Sequence, residues 1–349
     1  MRHKCLYIIS LIGLLISCTP SAREVSLAND TVMKFWDEYE SAMTQDLRIK
    51  DQEQYYPVPL HYDFDDASNR EINVSTSKSM KNATTIRTNN NYVDIENLYM
   101  GKDYYVRIDE VDGDKITKGK VEKIHTSEYP RTIKVENVSN TRDIGGYRTT
   151  NGKRIAQGKV YRGAHLDEIT TAGINTMLGD LHIKTDLDLR AEGEGTAGTE
   201  SPLGINYINI SGAYYVSGEM SLLSNKGEEA FKEEIMTFTN PNNYPIYFHC
   251  AIGRDRTGTL AMVLEALLGV DSDTILKEYE LSFLSNAAFP TTTMVYNMMS
   301  LAEQTLGYIV LAGQESPKDS FAKCTENWLI NYIGITAEDI KSIKNNLLQ

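Results

Sequence analysis

One twelve-residue stretch constrains this chain more than any other: Tyr247-Phe248-His249-Cys250-Ala251-Ile252-Gly253-Arg254-Asp255-Arg256-Thr257-Gly258. An apolar run that reads as a buried strand ends at His249, and an apolar run of helical length begins near Thr257. A strand that passes through a short glycine-containing turn into a helix aims successive backbone N–H groups at one concavity, at the helix N-terminus. That is an anion site. Cys250 supplies a thiol whose acidity rises beside cations and helix N-termini. Arg256 supplies a planar fork that can grip two oxygens of one oxyanion. The backbone of Ala251, Ile252, Gly253 and Arg254 would line the cradle, Gly253 allowing the chain to turn inward and Gly258 letting the helix start close to the sheet. Thr257 can donate a hydrogen bond to a thiolate. A lone cysteine is ordinarily a small buried hydrophobe; the glycines and arginine around this one point to a nucleophile. His249 is expected to orient the loop rather than act as a base.

The fold around the loop follows from alternation. Strands are predicted at Lys159–Arg162, Thr185–Leu189, Tyr207–Ile210 and Pro245–His249. Helical patterns cover Glu168–Leu178, Glu228–Phe238, Thr257–Leu268 and Thr274–Leu284. This predicts an α/β unit over residues 129–349, with a mainly parallel sheet flanked by helices. Residues 54–128 instead show short alternating runs broken by Asp, Asn and Gly, such as Glu71–Ser75, Tyr92–Ile95, Tyr104–Ile108 and Lys120–Ile124. These predict a small all-β sandwich. Every chemical landmark lies beyond Tyr129, so that part is expected to stand alone.

Residues 18–53 are expected to hold a polar tether, Thr19–Val25, and one helix carrying Val32, Phe35, Trp36, Tyr39, Met43 and Leu47 at helical spacing. Residues 1–17 read as a signal peptide: Arg2, His3 and Lys4 precede an apolar core, Leu6–Ser17, too short to span a bilayer. The sequence Leu15-Ile16-Ser17-Cys18 resembles the bacterial lipobox. The resemblance implies lipidation of Cys18 and a lipid-anchored, extracytoplasmic protein of the cell envelope. Cys5 would leave with the signal, and the two remaining thiols, Cys250 and Cys324, are expected to be free. A formal net charge of −13 argues against nucleic-acid binding. It also requires that an anionic substrate be drawn by a local positive pocket. No cofactor or metal is expected, because no His/Cys spacing suggests ligands.

The motif His249-Cys250-x-x-Gly253-x-x-Arg256-Thr257-Gly258 is the signature of the protein tyrosine phosphatase superfamily. The Arg254-Asp255-Arg256 variant resembles atypical secreted bacterial phosphatases with lysine-aspartate-arginine there, some of which also accept phosphoserine and phosphoinositides. Asn140-Thr141-Arg142-Asp143-Ile144-Gly145-Gly146, Tyr161-Arg162-Gly163-Ala164 and Asp188-Leu189-Arg190 resemble further landmarks of that group. The likeness runs from about Ile133 to the C-terminus. It implies a phosphocysteine mechanism with Cys250 as nucleophile and Arg256 and the loop holding phosphate. The substrate is expected to be a phosphotyrosine protein, with phosphoinositides or inositol phosphates as the alternative. A non-enzymatic alternative is a surface lipoprotein whose sandwich binds a partner and whose loop only binds phosphate. Arg142 and Asp143 could line the pocket or brace it, and Arg190 reads as structural. Between Asp188 and Asp255 the sequence has no aspartate, so the proton donor is expected to be Asp255 within the loop, with Glu219 as substitute. Separately, Leu98-Tyr99-Met100-Gly101-Lys102-Asp103-Tyr104 resembles the tyrosine corner of fibronectin type III domains.

Overall fold

The computed structural model describes residues 22–42, 44–47, 55–285 and 291–349. The signal peptide, Cys5, the lipobox Cys18 and Met43 lie outside the described residues. In chain order the elements are β1 (Arg23–Val25), α1 (Asp30–Asp37), α2 (Thr44–Leu47), β2 (Leu60–Asp63), β3 (Arg70–Ser75), β4 (Thr84–Thr88), β5 (Tyr92–Ile95), β6 (Asp103–Asp112), β7 (Lys115–Thr117) and β8 (Val121–Thr126). They continue with β9 (Arg142–Asp143), β10 (Val160–Gly163), α3 (Thr171–Asn175), β11 (Thr185–Asp188), β12 (Asn206–Asn209), α4 (Asn225–Met236), β13 (Ile246–His249) and α5 (Asp255–Leu268). The C-terminal helices are α6 (Ser272–Glu280), α7 (Thr292–Gly313), α8 (Phe321–Trp328) and α9 (Ala337–Leu347).

In the N-terminal part, β1-β8-β6-β3-β4 form one sheet with β7 paired to β6, and β2-β5 form a second. Alternation decides which side chains are enclosed: along β5, Tyr92 and Asp94 are exposed while Val93 and Ile95 are buried. Those two and Leu60 meet Ile72, Val74, Tyr104, Val106 and Ile124 of the larger sheet in one core. The Tyr104 hydroxyl accepts the Tyr99 N–H at 2.8 Å across the turn at Gly101.

Two expectations for the N-terminal segment change. Part of the predicted tether, Arg23–Val25, is strand β1, paired in parallel with Ile124–Thr126. The single predicted helix is divided: α1 carries Val32, Phe35 and Trp36 and ends at Asp37, Tyr39 lies beyond it and Leu47 is in α2. Helix α1 is capped by Asn29, whose side chain accepts the Val32 N–H at 3.0 Å. Its buried Val32 and Phe35 share a core with Tyr55, Leu281 and Leu284, so α1 packs on the C-terminal part.

The C-terminal sheet runs β12-β11-β13-β10-β9, with β12, β11, β13 and β10 parallel and β9 antiparallel at the edge. The four predicted strands fall within a residue of those observed. Gly163, His249 and Asp188 share one register level, so three neighbouring strands end together. The carboxyl edge of a parallel sheet is where ligands bind in such folds, and β13 delivers Cys250 there. Helix α5 leaves the same point; Thr257 through Leu268 are all buried. The final helices α7, α8 and α9 close the core around α5. No helix among the described residues is long and apolar enough to cross a membrane.

Candidate active site

The loop 250–256 bends at Gly253, whose φ is +70°. A Cβ there would lie 2.4 Å from the Gly163 carbonyl carbon and oxygen, so only glycine fits. Gly258 is also required by contact, but chiefly with α6: a Cβ would sit 2.8 Å from the Tyr279 ring. Arg254 precedes α5 without a side-chain cap, which leaves the helix N-terminus open. The N–H groups of Ala251, Ile252, Gly253 and Arg254 have no partner among the described residues.

Cys250 is buried and free, as is Cys324. Burial pushes the Cys250 thiol up, but the Arg256 charge and the Thr257 hydroxyl and N–H outweigh it, and the net shift is downward. The Thr257 hydroxyl lies beside the sulfur and has no other hydrogen-bond partner among the described residues. Arg256 is aimed by Glu194, which takes both terminal nitrogens at 2.8 Å, and by the Leu189 carbonyl at 3.3 Å. Glu194 went unnoticed in the sequence, although it follows Asp188-Leu189-Arg190 by four residues.

A buried shell fixes the loop from behind. Asn140 Nδ2 donates to the Ile252 and Gly253 carbonyls at 3.0 and 3.1 Å. Arg162 donates to the Gly253 carbonyl at 2.9 Å and to Glu278 Oε2 at 2.6 Å. Arg142 pairs with the other Glu278 oxygen and with Asn140 Oδ1 at 2.6 Å. Arg142 is therefore fully buried and does not line the pocket; its guanidinium is spent on Glu278, Asn140 and Ser282. Asp143 does not line it either. It is fully buried, paired with Arg131 at 2.7 Å, and accepts the Gly145 and Gly158 N–H groups. His249 is likewise behind the loop rather than in the pocket: Nε2 meets Asp186 at 2.9 Å and Nδ1 meets the Cys250 carbonyl at 3.3 Å. Burial lowers its pKa, yet Asp186 and Asp188 raise it further, leaving the imidazole above its ordinary range. Arg190 bonds Asp188 and Asp167.

Two charged groups of the loop remain, Arg254, which is nearly buried, and Asp255, which is partly exposed. Arg254 donates to both Asp255 oxygens at 3.0 and 3.1 Å, and Tyr215 Oη donates to Oδ1 at 2.8 Å. Tyr215 is buried and also meets the Tyr279 hydroxyl at 2.5 Å, so it is a core residue that holds Asp255. Glu219 is placed differently from what a substitute acid requires. It pairs with Lys226 at 2.5 Å on the surface, and that bond lowers its pKa, so it carries no proton at neutral pH. Met299 is buried and Met298 packs on the core.

With this geometry in place, the comparisons define the class. A profile described as the tyrosine phosphatase family matches residues 133–349. The chain belongs to that family. A Cupriavidus necator protein named provisionally as a tyrosine-protein phosphatase is 29% identical over 182 residues, covering 46% of this chain and 66% of its own length. The crystal structure of the core catalytic domain of the PP-IP phosphatase Siw14 from S. cerevisiae, in complex with citrate, is 20% identical. It aligns with 42% of this chain and 84% of its own at a TM-score of 0.29. A second Siw14 catalytic core aligns with 45% and 85% at 0.30.

Proposed function

We propose that this protein hydrolyses phosphate monoesters through Cys250, with phosphotyrosine as substrate. The observation that carries the reading is a cysteine held toward its thiolate at the open N-terminus of α5, beside unpartnered loop N–H groups. The thiolate attacks phosphorus; an S–P bond forms, the ester P–O bond breaks, and the departing oxygen takes a proton from Asp255. Water then attacks the phosphocysteine, giving a proton back to Asp255 as the S–P bond breaks and the thiolate leaves toward Thr257. Arg256 and the loop N–H groups hold the equatorial oxygens in both steps. Asp255 keeps 28% of its side chain exposed, so it can reach a leaving group while Arg254 and Tyr215 aim it.

Inositol phosphates or phosphoinositides are the second reading, favoured by Arg254: its Nη1 is buried without a partner among the described residues, a spare cationic donor next to the loop. One turnover panel tests both, using phosphotyrosine and phosphoserine peptides, phosphoinositides and inositol hexakisphosphate with chelator present. Turnover of phosphotyrosine peptides that vanishes in Cys250→Ser supports the reading. Activity that survives the substitution, or that requires added metal, refutes it.

We further propose lipid anchoring at Cys18, with extracytoplasmic placement in a bacterial envelope and a fibronectin-like role for the β region as a spacer. Mass analysis of the mature protein should find an acylated Cys18 as first residue; an unmodified N-terminus further downstream refutes it.

A further inference from the structure

Glu234, on α4, is a carboxyl that no step of this reaction uses. It is fully buried. Its Oε1 accepts the Ala213 N–H at 2.8 Å, and its Oε2 is buried without a partner among the described residues. The neighbouring backbone is tight against it, since a Cβ on Gly212 would lie 2.9 Å from Leu189 Cβ and 3.4 Å from Glu234 Oε1. Two residues beyond Ala213, the Tyr215 N–H donates to Thr259 Oγ1 at 3.0 Å and the Tyr215 hydroxyl holds Asp255. Glu234 thus fastens the segment that delivers Tyr215 to the phosphate loop.

The ionisable groups that act on it are Arg256 of α5 and Cys250 of the loop. Neither bonds to it: both terminal nitrogens of Arg256 belong to Glu194. The 210–215 segment offers it the Ala213 N–H, while the Tyr215 hydroxyl is directed to Asp255 and Tyr279. A carboxyl taken out of water with one hydrogen-bond donor and no ion-pair partner cannot keep its charge cheaply, and it takes up a proton instead.

We propose that Glu234 is a positioning residue of the phosphate site, a carboxylic acid that fastens the 210–215 segment to α4 beside the phosphate loop and whose loss of a proton weakens the hold on an oxyanion. Burial is the main reason its pKa is pushed up to about 8; the Ala213 N–H and Arg256 pull against that, and the Cys250 charge adds to it. Protonated, it leaves the Arg256 charge to the thiolate and the phosphoryl group. Ionised, it sets a second negative charge against both. By linkage, a bound oxyanion must in turn make Glu234 harder to ionise.

The proposal rests on the phosphate-site reading, and protection of Cys250 from iodoacetamide by inorganic phosphate separates the two without any turnover. Between about pH 7 and about pH 9.5, the half-protecting phosphate concentration should rise on the order of tenfold in the full-length protein, the equivalent of about one pKa unit of coupling. Glu234→Gln, which cannot ionise, should lose most of that rise, and Glu234→Asp, which can, should restore it. An equal rise in Glu234→Gln overturns the proposal. Absence of protection in the wild type at both pH values overturns the phosphate site itself. As a measurement free of variants, calorimetry in two buffers at about pH 8.5 should show proton uptake when phosphate binds; none would overturn the role of Glu234.

Discussion

Glu278 and Glu265 are both fully buried near the same two arginines, and replacing each by glutamine should have opposite consequences. Glu278 lies between Arg142 and Arg162, all three without solvent exposure, with Oε2 2.6 Å from Arg162 Nη1 and Oε1 on Arg142 Nε. Burial opposes its charge, but the two guanidiniums outweigh that and hold the carboxyl below its ordinary range. Glu265 is pushed well above the ordinary range, by burial first and then by the Glu278 charge, and neither of its oxygens has a hydrogen-bond partner among the described residues. Glu278 is therefore the anion of the cluster, and Glu265 is a neutral acid. Glu278→Gln leaves two buried guanidiniums without a counter-ion, a loss of about 3–5 kcal/mol. At roughly 2–4 °C per kcal/mol for a unit of this size, Tm should fall by about 6–20 °C. Turnover of a small aryl phosphate should fall as well, because Arg162 and Asn140 then hold the Gly253 carbonyl less firmly. Glu265→Gln exchanges one neutral group for another and should move Tm by only about 1–3 °C. The pH dependence has a sign. Native Glu265 keeps a proton that the unfolded chain releases above about its ordinary 4.5, so stability falls as pH rises beyond that value, and Glu265→Gln removes this slope. The Glu278 contribution runs the other way, present above its unfolded value and lost as pH drops through the depressed one. Thermal unfolding by circular dichroism across pH 4–8 reads both. Equal Tm losses in the two variants, or a Glu278→Gln shift under about 2 °C, would refute this assignment of charge.

Asp255→Asn should slow cleavage of alkyl or phenyl phosphates far more, on the order of a hundredfold, than cleavage of an ester with a strongly acidic phenol; equal losses would mean that Asp255 only braces Arg254. A fragment starting at residue 129 should be markedly less stable than the full chain. It uncovers Leu281 and Leu284, each worth about 1.5–3 kcal/mol when buried, and strips Glu280 of the Ala42 and Thr44 N–H groups and the Tyr39 hydroxyl. A fragment with unchanged Tm and turnover would show that these contacts contribute nothing.

What the sequence determined by itself was local. Short apolar runs alternating with helical patterns set the strands at residues 160–163, 185–188, 206–209 and 246–249 and the helix after Cys250, because such runs report what is buried. The nucleophile loop was legible for the same reason: strand, turn and helix are contiguous in the chain. The tertiary structure decided everything that depends on partners distant in sequence. Whether Arg142 faces substrate or core depends on Glu278, 136 residues away. Glu194 reaches Arg256 across 62 residues, and α1 docks beside Leu281 and Leu284 through a shared core. A buried charge or an amphipathic face requires a partner, but its own neighbours in the chain do not say which. Glu219 and Glu234 show this most plainly. Composition treats the two carboxylates alike, yet one stands in water beside a lysine and loses its proton, while the other is sealed under Ala213 and keeps it.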